Sequence, residues 1–174
     1  MLSAAQEKLN QIGKNITEVG NILGAADEAT KAAILQVAKS FVKQIIPYGH
    51  SPRPFDKDNK DRMMDCSELT YRVYKQALGI DIPQTADAQY QFFKGNYSII
   101  TDPLGAQVGD IVFFTEPGAN KITHVGIVSA VNNKGEIKYI HSPRKDHTVE
   151  EKQKWLNMAT SSYYSTHFVA FGRL

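Results

Sequence analysis

The spacing of apolar residues changes once along this chain, from a helical period to an extended one. Near the start, apolar side chains recur at alternating steps of three and four residues, at Leu2, Ala5, Leu9, Ile12, Ile16, Val19 and Leu23. This stripe predicts an amphipathic helix over residues 1–24, although Gly13 and Gly20 each weaken it by up to about 1 kcal/mol. The helix either docks on its own domain or serves as a docking or delivery segment for a partner.

A second helix is predicted after Gly24, which interrupts the stripe. Asp27 can cap it, Pro47 ends it, and its apolar face carries Ile34, Ala38, Phe41 and Ile45. We therefore divide the chain into an N-terminal amphipathic helix, residues 1–24, and a domain over residues 25–174. Residues 47–64 are predicted to be a loop, because closely spaced prolines and a charged run disfavour regular structure.

The only cysteine of the chain, Cys66, is predicted to open the next helix. Asp65 is the expected N-cap, Glu68 completes a capping box, and Gly79 marks the helix end. The first turn of a helix favours negative charge, so this position should lower the pKa of the thiol. The alternative is a buried structural cysteine.

The second half of the chain has the pattern of an antiparallel sheet. A polar helix is expected through Gln89 to Phe93, and the apolar period becomes extended after Pro103. Strands are predicted at residues 111–114, 124–131, 137–141 and 167–172. Residues 143–164 are predicted to be irregular, with one helical turn around Trp155. Helices followed by an antiparallel meander predict an α+β fold, with helices packed on a small antiparallel sheet.

Two histidines can meet on this predicted sheet. If Asn133 and Lys134 form a two-residue hairpin loop, His141 lies opposite Gly126, and His124 points to the same face two positions away. A loop one residue longer would separate the two imidazoles onto opposite faces. A helix N-terminus carrying Cys66 that packs on this face would complete a Cys-His-X arrangement of thiol, base and orienting group.

Four sequence blocks in this order resemble the NlpC family of papain-like cysteine peptidases, which cut peptide bonds in the peptidoglycan stem. The resemblance covers roughly residues 46–174 and leaves the first helix outside. The blocks are Asp65-Cys66-Ser67, then Gly109-Asp110-Ile-Val-Phe-Phe, then His124-Val-Gly-Ile-Val, then Tyr139-Ile-His141.

The resemblance implies a catalytic role for three of these residues. Cys66 would be the nucleophile, His124 the base, and His141 the third member, which orients His124. The backbone N–H of Cys66 would contribute to an oxyanion hole. Three further residues match family positions near the nucleophile or in contact with substrate: Tyr48, Asp65 and Ser67.

The chain departs from the family pattern at three positions that bear on specificity. Glu68 replaces the glycine that usually follows Cys-Ser. Gln84 and Ala86 stand where the family often has an arginine and a serine that hold the stem peptide. The catalytic assignment carries over despite these changes, whereas the exact bond that is cleaved, such as D-Glu–diaminopimelate, does not.

Composition excludes some other classes. The net charge of +2 comes without a basic block, so nucleic acid is not an expected partner. No apolar run is long enough to span a membrane. One cysteine, with no Cys-x-x-Cys or His-Glu-x-x-His spacing, gives no support to a zinc site, and we predict neither a metal nor a cofactor.

The sequence therefore predicts a cysteine peptidase or amidase that hydrolyses peptidoglycan. Because no signal peptide is evident at the start, we expect synthesis in the cytoplasm and action in the periplasm or cell wall after specialised export. An exported antibacterial effector or a phage lysis enzyme fits this description, and an immunity or delivery protein would be a further partner. The alternatives are a papain-like deamidase or acyltransferase acting on a protein or lipid, and a non-enzymatic binding module centred on the first helix.

Overall fold

The computed structural model describes residues 3–42, 44–49, 63–143 and 148–174. Within these ranges the chain forms helices and one sheet, in an α+β arrangement. The helices are α1 (Ala4–Val42), α2 (Cys66–Leu78), α3 (Ala86–Asn96) and α4 (Ser162–His167). The strands are β1 (Ser98–Ile100), β2 (Ile111–Phe114), β3 (His124–Val131), β4 (Ile137–His141), β5 (Glu150–Glu151) and β6 (Phe168–Arg173).

The first helix does not end where the sequence suggested. α1 runs without a break through Gly24 and Asp27, so the predicted pair of helices is wrong. A glycine inside a helix costs only about 1 kcal/mol, and the residues on both sides of Gly24 are good helix formers. The domain boundary at residue 24 stays a prediction.

The two parts of α1 differ in burial. Residues 3–29 are exposed, whereas Ile34, Ala38 and Phe41 are buried against the rest of the domain. The apolar stripe of the first part therefore does not dock on the chain's own domain, contrary to one of the two interpretations of its sequence. Its use as a docking or delivery segment stays a prediction.

The sheet is antiparallel, with strand order β1-β6-β2-β3-β4-β5. Its two faces bury separate apolar clusters because side chains alternate along each strand. One cluster joins α1, α2 and α3 to Ile111, Phe113, Val125, Ile127 and Ile140. The other cluster, on the opposite face, joins α4 to Val112, Phe114, Val128, Tyr139 and Phe171.

Most strands lie where their patterns predicted them, and the short elements do not. β1, β5 and α4 have two to six residues each, too few for a period to show. The helical turn expected around Trp155 is wrong, since Leu156 there forms a β-bridge with Ile137. Of the predicted loop over residues 47–64, residues 50–62 lie outside the described part of the chain.

Candidate active site

The N-terminus of α2 carries Cys66 in its first turn. Asp65 is the N-cap, as predicted, and its carboxylate accepts the backbone N–H of Glu68 at 2.8 Å. Gly79 closes the helix in the left-handed conformation, with φ at 71°. The carboxylate of Glu68 accepts a hydrogen bond from Arg72 Nε at 2.9 Å, and both side chains are buried.

Two hydrogen bonds through Met64 join the three segments that carry the site. The backbone N–H of Met64 donates to the carbonyl of Pro47 at 2.8 Å, next to Tyr48. The carbonyl of Met64 accepts the hydroxyl of Ser142 at 2.7 Å, next to His141. Pro47 precedes Tyr48 and Ser142 follows His141, so these two bonds tie the segments that carry Tyr48 and His141 to the segment just before Cys66.

The hairpin between β3 and β4 deviates from the prediction in two ways that cancel, so the strand register still brings the two histidines together. Asn132 pairs with Glu136, which makes the loop three residues long and places Gly135 at φ 75°. The register then shifts by one residue between Val128 and Ala130. A bulge adds one residue to one strand, so it cancels the extra residue of the loop. The predicted meeting of the histidines on one face is confirmed, although the predicted turn is wrong.

Gly126 shows how closely the strands approach at this point. A Cβ atom there would lie 2.7 Å from the ring of Tyr139 and 3.4 Å from the Cβ of His141. His141 is therefore the cross-strand neighbour of Gly126, and the absence of a side chain at Gly126 leaves room for the rings beside it.

A chain of short polar contacts runs from His124 to the edge of the sheet. His124 Nε2 lies 2.7 Å from His141 Nδ1, and His141 Nε2 lies 3.0 Å from Glu150 Oε1. Lys152 Nζ donates to the same carboxylate oxygen at 2.9 Å. Each ring is also held by an aromatic neighbour, Phe114 for His124 and Tyr139 for His141.

The helix that carries Cys66 does not lie on the face that carries the histidines, contrary to the sequence-based expectation. The body of α2 packs on the Val125 and Ile127 face, whereas the histidine rings contact Phe114 and Tyr139 on the other face. Cys66 and the histidines line the same cavity because α2 begins beside the start of β3. The backbone N–H of Val125, the residue after His124, is directed at the Cys66 sulfur.

A cavity of about 650 Å³ opens above these groups. Its lining includes Tyr48, Cys66, His124, His141, Lys152 and Tyr163. Burial raises the pKa of Tyr48, and proximity to Cys66 adds to this rise. Burial likewise raises the pKa of Tyr163 to about 12, with Glu116 and Cys66 as further causes. Both phenols therefore lie close to the thiol.

Burial is the largest cause of the shifted pKa values of Cys66 and His124. It raises the pKa of Cys66 to about 11, against the opposing pull of the backbone N–H groups of Val125 and Ser67. Burial also lowers the pKa of His124 to about 3, with His141 and Lys152 as further causes. The expected lowering of the thiol pKa by the helix N-terminus is therefore wrong. The loss of hydration destabilises the thiolate more than the helix N-terminus stabilises it. In this structure the neutral thiol and neutral imidazole are favoured.

The remaining residues singled out from the sequence have local partners. Ser67 is buried, and its hydroxyl oxygen lies 3.0 Å from Asp65 Oδ1 and 2.8 Å from the Gln84 carbonyl oxygen. Asp65 is buried at the helix cap, so contacts of either side chain with substrate stay predictions. The side chain of Gln84 is exposed, and Ala86 is buried at the start of α3.

Cavity or network residues that were not found from the sequence include Glu116, Glu150, Lys152 and Tyr163. They lie in or directly after short or irregular segments, in which no apolar period fixes the direction of a side chain. Within the described ranges, no group of three His, Cys, Asp or Glu side chains is arranged to hold a metal ion.

The fold and the Cys-His-His site together define a class of α+β proteins with a thiol at a helix N-terminus and paired histidines on the adjoining sheet. A profile described as the NlpC/P60 family matches residues 48–173. The chain belongs to the NlpC/P60 family, whose members are cysteine peptidases and amidases that act on peptidoglycan.

Individual relatives agree with this assignment. The chain is 26% identical over 151 residues to the murein DD-endopeptidase MepH of Escherichia coli K12, covering 87% of this chain and 51% of MepH. It is 28% identical over 131 residues to the gamma-DL-glutamyl hydrolase of Bacillus subtilis 168, covering 75% of this chain and 28% of that protein. The chain thus spans about half the length of MepH and a smaller part of the hydrolase.

A solved structure shows the same fold. The NlpC/p60 domain of the peptidoglycan hydrolase SagA superposes with a TM-score of 0.55 at 24% identity, covering 83% of this chain and 98% of that domain. Among the residues described, no helix has both the length and the apolar composition needed to cross a bilayer.

Proposed function

We propose that this protein hydrolyses an amide bond in the stem peptide of bacterial peptidoglycan, with Cys66 as the nucleophile. The observation that carries the proposal is a cavity lined both by Cys66 and by the bonded pair His124–His141. A thiol needs a base within reach and a group that orients the base, and these three side chains supply those parts.

The reaction proceeds through a thioester. His124 takes the thiol proton as the sulfur attacks the carbonyl carbon, which matches the neutral resting pair. The same proton passes to the leaving amine when the carbon–nitrogen bond breaks. Water then attacks the thioester, its hydroxyl completes the new carboxyl group, and its proton returns through His124 to sulfur. The backbone N–H of Cys66 stabilises the oxyanion.

The γ-D-glutamyl–diaminopimelate bond is the bond that we expect to be cut. The name of the gamma-DL-glutamyl hydrolase supports cleavage of a glutamyl bond, whereas the name of MepH refers to a DD-peptide bond. Because peptidoglycan lies outside the cytoplasm, the enzyme would act in the periplasm or cell wall, as an exported antibacterial effector or a phage lysis enzyme.

Digestion of purified peptidoglycan tests this function. The wild type should release new muropeptides whose masses name the bond, and Cys66→Ala should reduce the rate by on the order of 10⁴-fold or more. Cys66→Ser is a matched variant that retains the shape of the side chain and lacks the thiol. A wall left intact by the wild type, with Cys66 still alkylated by iodoacetamide, would overturn the proposal and favour a deamidase or acyltransferase.

A further inference from the structure

Glu150 lies directly opposite His141 in the sheet. The two residues are register partners in β5 and β4, so their side chains project from the same face. The next pair is Ile140 with Glu151, whose side chains project from the other face. The backbone N–H of Lys152 continues the pairing by donating to the carbonyl of Tyr139 at 2.9 Å. The position of Glu150 is thus set by strand pairing.

The carboxylate of Glu150 determines which nitrogen of His141 carries a proton. Partial burial raises the pKa of Glu150, but hydrogen bonds from Lys152 and His141 outweigh it and hold the pKa below its usual value. Glu150 is therefore ionised at neutral pH and can only accept hydrogen bonds. His141 Nε2, 3.0 Å away, must then carry the hydrogen. In a neutral imidazole this leaves a lone pair on Nδ1.

The position of the proton on His141 in turn determines the position of the proton on His124. Since His141 Nδ1 carries a lone pair, the 2.7 Å contact requires that His124 Nε2 donate the hydrogen. The lone pair of His124 is then on Nδ1, the nitrogen left to take the proton of the Cys66 thiol. The opposite arrangement, with hydrogen on His124 Nδ1, would have no base for the thiol.

Lys152 limits the effect of the carboxylate. A carboxylate beside an imidazole favours the doubly protonated ring, and a doubly protonated His141 would donate from Nδ1 and reverse the tautomer of His124. The ammonium of Lys152 lies 2.9 Å from the same oxygen, so it offsets this attraction. Lys152 thus opposes the effect of Glu150 on His141, and the proton positions assigned to His141 are those of its neutral ring.

We propose that Glu150 is a positioning residue that, through His141, fixes His124 in the tautomer with hydrogen on Nε2 and a lone pair on Nδ1. This role rests on the thiol chemistry proposed for Cys66. It differs from a purely structural role of β5 because it predicts the proton positions on two rings.

The test compares Glu150→Ala with Glu151→Ala, a matched change of the neighbouring carboxylate on the other face. Long-range ¹H–¹⁵N NMR of the histidine rings at pH 7 should show both His124 and His141 protonated on Nε2 in the wild type and in Glu151→Ala. In Glu150→Ala, signals of the Nδ1-protonated form should appear. This readout needs no substrate, so it can fail or succeed independently of the peptidoglycan assay.

Kinetics with a soluble muropeptide should agree. Removal of the group that directly orients a catalytic histidine costs about 10⁴-fold in kcat, so a residue one bond further away should cost about 10- to 100-fold. KM should change less than kcat, because Glu150 does not line the cavity. Glu150→Gln should recover part of the loss, since its amide oxygen can still accept from His141 Nε2.

The result that overturns the proposal is a Glu150→Ala protein with the ring signals and kcat of Glu151→Ala. If Glu150→Ala does not fold, Glu150→Gln decides. Its amide can also donate to His141, so a second tautomer and a several-fold lower kcat are expected. Wild-type ring signals and kcat in Glu150→Gln would then overturn the proposal.

Discussion

Two regions differ from the usual pattern of apolar interior and polar surface. The first is the exposed part of α1, residues 4–29; the second is the edge that carries the proposed catalytic residues, called the catalytic edge and formed by residues 64–68 with His124, His141 and Glu150. Ile16 is 67% exposed on the first, whereas Glu68 is 2% exposed on the second. Apolar residues are ordinarily inside, and charged ones are inside only when paired. The comparison shows that a hydropathy pattern predicts an element well and its environment poorly.

Pairing explains how the catalytic edge tolerates buried polar groups. Glu68 is bonded to Arg72, Ser142 to Met64, and His124 to His141. Each bond satisfies a group that would otherwise be costly to bury. On α1 nothing comparable is needed, because exposed backbone and side chains remain in contact with water.

The largest effect is expected for the buried ion pair Glu68–Arg72, which lies in the helix that begins at Cys66. Glu68→Ala leaves the Arg72 guanidinium, 1% exposed, without its carboxylate, and should cost about 3–5 kcal/mol of unfolding free energy. Urea unfolding measures it. The double variant Glu68→Ala/Arg72→Met removes the buried guanidinium together with its carboxylate. Its loss of unfolding free energy should therefore be smaller than the sum of the losses in the two single variants. Additive losses would contradict a buried, coupled pair.

The sequence predicted the helix start at Cys66 and the order of the central strands, because those depend on local capping and period. It also predicted that the histidines meet, but from a turn that does not form. The three-residue loop ending at Gly135 and the register shift after Val128 compensate each other, and neither leaves a mark in the apolar pattern. The sequence could not supply Glu150, because a two-residue strand is positioned only by its partner β4.

Burial also sets the pH range over which the site should work. Because the pKa of His124 is lowered to about 3, the imidazole stays unprotonated as the pH falls through 6.5. With His141 also neutral, kcat/KM at pH 5 should therefore stay within about twofold of its value at pH 7, whereas an ordinary histidine of pKa about 6.5 would give about a 25-fold loss.

A pH profile of kcat/KM on a soluble muropeptide measures this directly. Far-ultraviolet circular dichroism at each pH is the control for unfolding. An acid limb near pH 6.5 would mean either that water reaches His124, so that the catalytic edge is less enclosed than the structure indicates, or that His141 takes up a second proton and reverses the tautomer of His124. The histidine ring signals in the ¹H–¹⁵N spectrum distinguish the two causes. An alkaline limb is expected only as the pH approaches the raised pKa of Cys66, about 11.

The smallest expected effect belongs to Ile16→Ala on the exposed part of α1. The side chain is 67% exposed, and alanine is the better helix former, so the free energy of unfolding should change by less than about 0.5 kcal/mol. Ile34→Ala is the matched control on the same helix. Ile34 is 3% exposed, and its truncation should cost about 2–5 kcal/mol.

Urea unfolding at several protein concentrations separates the two explanations for a larger effect at Ile16. A loss at Ile16 that grows with protein concentration would mean that copies of the chain cover the stripe in solution. A loss that does not depend on concentration would mean that the stripe packs on its own domain, which the exposed side chains of α1 contradict. Equal losses for Ile16→Ala and Ile34→Ala would remove the difference between the two parts of α1 on which the comparison rests.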